Sequence, residues 1–166
     1  MGDEPSGLVH IQPGDGEVIA GATSGTVYKV TGEVTNGVYS VVESTIEPGV
    51  LQPPHTHSRE DHLFLVTEGE VGFRVGDDEI LAGPGSYVFM PRNIPHAFWN
   101  AGSVQGKMVQ VNEPAKFESF FRDFYELTKD GPPDPAKAGA LMAEYGITFL
   151  PEWIPEIEAK YGVKGH

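Results

Sequence analysis

From about Thr26 to Val111 the sequence is a succession of short apolar or alternating runs, each stopped by Gly, Pro, Asn or Asp: "TVYKVT", "GVYSVVEST", "DHLFLV", "VGFRV", "SYVFMP", "HAFWN" and "KMVQVN". Strands of this length and spacing, with "VGDDE" as a hairpin turn, predict an antiparallel sandwich or barrel. The 21 glycines and 14 prolines fall at many separate points, as the numerous turns of an all-β fold require. At 166 residues the chain is long enough for one ordinary domain and too short for two well-buried cores. The expected barrel core runs over 18–113 behind an N-terminal segment, 1–17.

After Pro114 the period becomes helical. "PAKFESFFRDFYELTK" puts Phe117, Phe120, Phe121, Phe124 and Leu127 on one face, an amphipathic helix whose stripe packs on the barrel. "DPAKAGALMAEYG" reads as a second helix, with Asp134 as N-cap, Pro135 at the first helical position and Gly146 past the end. The tail "LPEWIPEIEAKYG" is expected to be a short helix or an ordered arm. Residues 114–166 are thus expected to be a helical extension on the barrel, not a second domain.

A formal charge of −13 gives a surface field that repels phosphate backbones and anionic membranes, so neither nucleic acid nor membrane is an expected partner. The start, "MGDEPSGLVH", carries acids where a signal peptide needs a basic and then an apolar stretch, and no segment is fit to span a bilayer, which predicts a cytoplasmic protein. There is no cysteine, so any metal must be held by nitrogen and oxygen.

The richest donor cluster is "PPHTHSREDHLFLVTEG", residues 53–69. In an extended stretch His55 and His57 project from one face, so two imidazoles converge, and the preceding proline pair stiffens the entry. His62 follows after a short acidic connection, and His96 opens "HAFWN" behind "PRNIP". Neutral imidazole is the commonest ligand of Zn, Fe, Ni and Cu. An isolated HxH pair is weak evidence for a metal; the pattern around it carries more. Gly49 to Gly69 reads G-x5-H-x-H-x4-H-x6-G, and Gly85 to Asn100 reads G-x5-P-x-N-x2-H-x3-N.

These stretches resemble the two motifs of the cupin superfamily, G-x5-HxH-x3-4-E-x6-G and G-x5-PxG-x2-H-x3-N. Gly49, His55, His57, Gly69, Gly85, Pro91, His96 and Asn100 match. Asn93 stands for a glycine, a mild change because Asn enters left-handed backbone conformations at low cost. His62 stands for the glutamate. Asp61 fits the shorter spacing but leaves seven residues before Gly69. Within that superfamily the sequence resembles small bacterial quercetin dioxygenase-like cupins, whose signature runs H-x-H-x-REDE, "FYVLEG" and "AGPGSFVFVPRGTPHAFRN"; the likeness extends to "YKVTGEVTNGVYSVVESTIEPG" and "AEYGITFL".

The resemblance implies a cupin (double-stranded β-helix, jelly-roll) barrel with C-terminal helices. It also implies one divalent transition metal per chain, Ni, Fe, Mn, Co, Cu or Zn, held by His55, His57, His96 and, by position, His62. In that family the glutamate both ligates and accepts a flavonol proton. Four imidazoles leave the ion its full +2 charge and remove that base, and Glu60 is the candidate replacement. Strand alternation places Phe64 and Val66 on the face of His62, and Phe98 on that of His96, as walls of an apolar pocket. Metal affinity is expected to fall near or below pH 6, as protons compete for imidazole. The expected function is a quercetinase-like dioxygenase acting with dioxygen on a flavonol-like or other enolisable aromatic. The alternatives are a non-redox isomerase, lyase or cyclase, and a ligand-binding cupin without turnover. A homodimer is expected, because small barrels cover edge strands and exposed aromatics with a second copy.

Overall fold

The computed structural model describes residues 7–18 and 25–165. Two antiparallel sheets face each other in a jelly roll. The first has the order β1 (Glu17–Val18), β2 (Val27–Val30), β3 (Ser40–Ile46), β10 (Gly106–Glu113), β5 (Asp61–Glu68), β8 (Tyr87–Met90). The second runs β11 (Ile147–Phe149), β4 (Val50–His57), β9 (His96–Trp99), β6 (Val71–Val75), β7 (Asp78–Ala82). A short strand, β12 (Lys164–Gly165), pairs parallel with the start of β4.

Alternation sorts the side chains. Along β5, His62, Phe64 and Val66 are buried while Leu63 and Leu65 face outward, as period 2 demands. Phe64, Val66, Phe73, Met90, Phe98 and Met108 fill one end of the barrel. Outside the second sheet a smaller cluster forms, in which Leu51 and Trp99 pack against Ile157 and Val163. Gly72 stands opposite Trp99 because a Cβ there would overlap the indole.

The helical extension starts as predicted. α1 (Phe117–Thr128) is tied to the barrel by buried Glu118, whose Oε1 accepts from the Gly32 N–H at 2.6 Å and Oε2 from the Lys116 N–H at 3.2 Å. α2 (Pro135–Glu144) has Asp134 as N-cap, accepting from the Ala136 and Lys137 N–H groups, and Gly146 follows at φ 70°. The tail forms a 3-10 turn (Pro151–Trp153) and α3 (Ile154–Tyr161). One feature differs from the reading above: the extension also donates β11 and β12, both paired with β4. Three and two residues are too short to show a period in the sequence.

Candidate metal centre

The site is built mainly on β4 and β9, where His55 lies opposite His96. Prolines 53 and 54 cannot donate to the ladder, and the β4–β9 register shifts between Gln52 and His55. Beyond this irregularity the histidines converge: one donor nitrogen each of His55, His57 and His96 lies within 4.8 Å of the others. His62 comes from the opposite sheet, on β5. Its ring centroid is 4.4 Å from that of His57 and 5.9 Å from that of His96, beside the trio.

The hydrogen bonds assign the tautomers. His55 Nδ1 lies 2.6 Å from the Pro53 carbonyl oxygen, and His96 Nδ1 lies 2.9 Å from that of Ile94. A carbonyl can only accept, so both Nδ1 atoms carry the proton and both Nε2 atoms keep a lone pair. In each case the acceptor sits two residues back, across a proline (Pro54, Pro95). His62 Nδ1 lies 2.6 Å from Asn112 Oδ1 and 3.0 Å from Gln110 Nε2, while its Nε2 is buried with no partner. His57 Nδ1 faces Glu60 Oε2 at 3.5 Å, too poorly aligned for a hydrogen bond.

Burial pushes all four imidazoles below their ordinary range: His62 to about 4, His96 to about 3, His55 and His57 downward as well, the last reinforced by its histidine neighbours. The four rings are neutral at pH 7 in the metal-free protein. Neutral nitrogens, an unpartnered buried lone pair on His62 and the absence of cysteine are the donor chemistry a borderline divalent ion takes. The cluster of His55, His57 and His96 could hold such an ion.

Over the histidines opens a cavity of about 350 Å³. Phe64 and Phe98 line it from the barrel, and Phe117, Phe120, Phe121 and Phe124 line it from α1. The Phe117 ring stands edge-on to His57 at 4.6 Å. The helix stripe is therefore more than packing: it roofs the site. The sequence could not reveal this, since a stripe on a barrel and a stripe over a barrel mouth have the same period.

The cavity lining bears on two of the expected residues, Val66 and Glu60. Val66 is not on the cavity wall; it lies two residues, about 6.6 Å, further along β5, inside the packed core. Glu60 is buried with one carboxylate oxygen 3.5 Å from His57 Nδ1, not hydrogen-bonded to it, and is not among the residues that line the cavity. Asp61, the rival ligand, points the other way and is clamped by Arg92, with its Oδ1 2.7 Å from the backbone nitrogen and its Oδ2 2.7 Å from Nη2. That guanidinium holds the Asp61 carboxyl below its usual range. No Asp or Glu among the described residues lines the cavity.

The rest of the motif is structural. Asn93 takes φ 64°, the left-handed conformation for which Gly or Asn is suited, and its N–H donates to the His57 carbonyl at 2.6 Å. Asn100 spans a turn, donating to the Ile46 and Val104 carbonyls and accepting from the Gly102 N–H. Asn112 and Gln110, which adjoin His62, lie outside the motifs. Their signal was only their inward parity on "KMVQVN", where two amides point into an apolar barrel.

Comparison with known proteins gives a consistent picture. Residues 42–112 match the family model of the cupin domain. The germin-like protein subfamily 2 member 4 of Arabidopsis thaliana is 37% identical over 79 residues, 45% of this chain and 36% of that protein. Nectarin-1 of Nicotiana plumbaginifolia is 32% identical over 94 residues, 54% of this chain and 41% of that protein. The chain thus spans less than half the length of the curated relatives it matches. Among solved structures, the polyketide cyclase RemF of Streptomyces resistomycificus superposes with a TM-score of 0.56 at 22% identity, covering 64% of this chain and 79% of that one. KdgF of a Halomonas species gives 0.52 at 14%, covering 67% and 88%. At these identities the structures share the fold.

Proposed function

We propose that this cupin barrel is a mononuclear metal enzyme that binds an oxygen-rich, enolisable aromatic substrate in its cavity, with His62 as fourth ligand beside His55, His57 and His96. The observation that carries the reading is the pairing of four neutral imidazoles with an aromatic cavity free of carboxylates. A divalent transition ion bound there supplies a Lewis acid for an enolate or phenolate oxygen and, where redox-active, the electron transfer that dioxygen chemistry needs. The chain's own contribution is to orient and to exclude water. Phe117, Phe120, Phe121 and Phe124 stack over a flat ring system, and Gln52 and Gln110 are neutral hydrogen-bonding groups on the wall.

Oxygenation of a flavonol-like substrate is the first reading of the reaction. Without a carboxylate in the cavity, substrates that arrive acidic or already anionic are favoured over neutral flavonols. The same absence favours a second reading, non-redox cyclisation or isomerisation of an enolate, which needs no dioxygen. Oxygen-electrode screening with flavonols and β-diketones at matched metal occupancy, with the parent and His62→Glu, separates them. Oxygen uptake that rises for neutral flavonols in His62→Glu supports the dioxygenase; substrate conversion by the parent under strict anaerobiosis replaces it with the non-redox reading.

A homodimer accompanies this reading. On the outer face of the first sheet, Val41, Val111, Leu63 and Phe89 form one cross-strand row, and Val109, Leu65 and Tyr87 form the next. Phe89 and Tyr87 are 58% and 70% exposed on the edge strand β8, a face that a second copy would cover. Sedimentation of Phe89→Lys as a monomer, against a dimeric parent, tests it. No helix among the described residues is long and apolar enough to cross a membrane.

A further inference from the structure

We infer that Asn112, on β10, is the positioning residue that turns His62 into a metal ligand; the inference rests on the four-histidine reading above. Ser40, Asn112 and His62 lie side by side on β3, β10 and β5, in direct register, and all three are buried. Asn112 Nδ2 donates to Ser40 Oγ at 3.1 Å. Its Oδ1 accepts from Gln110 Nε2 at 2.5 Å and lies 2.6 Å from His62 Nδ1. With Gln110 donating to Oδ1 and Nδ2 turned to Ser40 Oγ, Asn112 presents its oxygen to His62. Two groups meet His62 Nδ1, the Asn112 oxygen at 2.6 Å and Gln110 Nε2 at 3.0 Å; the shorter contact is to an acceptor, and the Gln110 amide already donates to that oxygen, so the geometry points to a proton on Nδ1 and the lone pair on Nε2. That nitrogen is the one buried without a partner among the other histidines.

The row explains how this sheet can supply a ligand at all. His55 and His96 take their orientation from the carbonyl two residues back, whereas the contacts of His62 Nδ1 are to side chains of β10. The orienting group thus comes from a neighbouring strand, where position 112 lies directly opposite. Gln110, which lies on the cavity wall as well, couples the row to whatever occupies the cavity.

The test uses the full chain, stripped of metal and titrated with Co(II) against a chelator, together with ¹⁵N–¹H imidazole correlations on the metal-free protein. The parent should show His62 as the Nδ1–H tautomer. Asn112→Ala should lose that signature and weaken Co(II) binding about 10- to 100-fold, the range for loss of a ligand's orienting partner. It should match His62→Ala, and the Asn112→Ala, His62→Ala double variant should lose nothing further, an outcome that general damage to the barrel does not produce. Asn112→Asp keeps the acceptor oxygen, so it should keep the tautomer and bind Co(II) at least as tightly as the parent. It also serves as the decisive variant if Asn112→Ala does not fold. Parent-like affinity and tautomer in Asn112→Ala, additive losses in the double variant, or loss of the tautomer in Asn112→Asp would each overturn the inference. Parent-like Co(II) affinity in His62→Ala would instead remove the four-histidine reading on which it stands.

Discussion

His55 and His96 are oriented by backbone carbonyls two residues away on their own strands, whereas His57 and His62 face side chains three and fifty positions off. The first pair is a local construction. In each, the carbonyl two residues before the histidine, across a proline, meets Nδ1 and leaves Nε2 as the outward nitrogen. The second pair is assembled by tertiary structure: Glu60 reaches His57 from the loop before β5, and Asn112 reaches His62 only once β10 lies between β3 and β5. The histidine cluster thus contains two kinds of side chain, one oriented by its sequence neighbours and one by groups that tertiary structure brings to it.

This contrast can be broken at either end. The largest effect is expected from His55→Ala with His57→Ala, which removes two of the three converging donors; Co(II) binding should drop by more than about 100-fold, beyond any loss of an orienting partner, when read by chelator competition. Full occupancy in that double variant would end the metal assignment. His62→Ala should be milder, weakening but not abolishing binding, because the trio remains. Glu60→Gln should be mildest, about tenfold or less in affinity, since its contact with His57 is long at 3.5 Å. A loss as large as that from the double variant would mean that Glu60 acts at the ion itself.

Acid sharpens the comparison without mutation. The imidazoles are buried neutral, with His62 at about 4 and His96 at about 3, while an unfolded chain titrates near 6.5. Between these values the unfolded state binds more protons, so the metal-free protein should lose stability as pH falls below about 6.5, with the loss continuing past the His62 value of about 4 toward the His96 value of about 3. Denaturant midpoints across that window measure it. Proton competition with the metal likewise moves down from the expected pH 6, since burial already disfavours the imidazolium.

What was legible in the sequence follows the same division. The strands, the α1 stripe, the Asp134 cap and the converging trio depend on period or short spacing, and each could be read from neighbouring letters. The roofing role of Phe117, the core position of Val66 and the place of Glu60 beside His57 depend on where α1 docks and how deep β5 runs. Asn112 was invisible for the same reason: an asparagine on a strand names its acceptor only when the strand opposite is known. The Pro54–His55 and Pro95–His96 pairs repeat one dipeptide on two neighbouring strands of the same sheet, a local signal for the shared Nδ1–carbonyl contact.

The pairing of β4 with both β11 and β12 has a temporal side. The strand that carries His55 and His57 has its outer edge closed by residues 147–149 and 164–165, roughly a hundred positions later in synthesis. At about 5–20 residues per second, translation leaves that edge open for on the order of ten seconds. During this interval β4 can be covered on one side only, by β9, and the histidine pair sits on an unfinished sheet margin. A newly made chain would therefore close the outer edge of the strand that carries His55 and His57 only after residues 147–165 have been made.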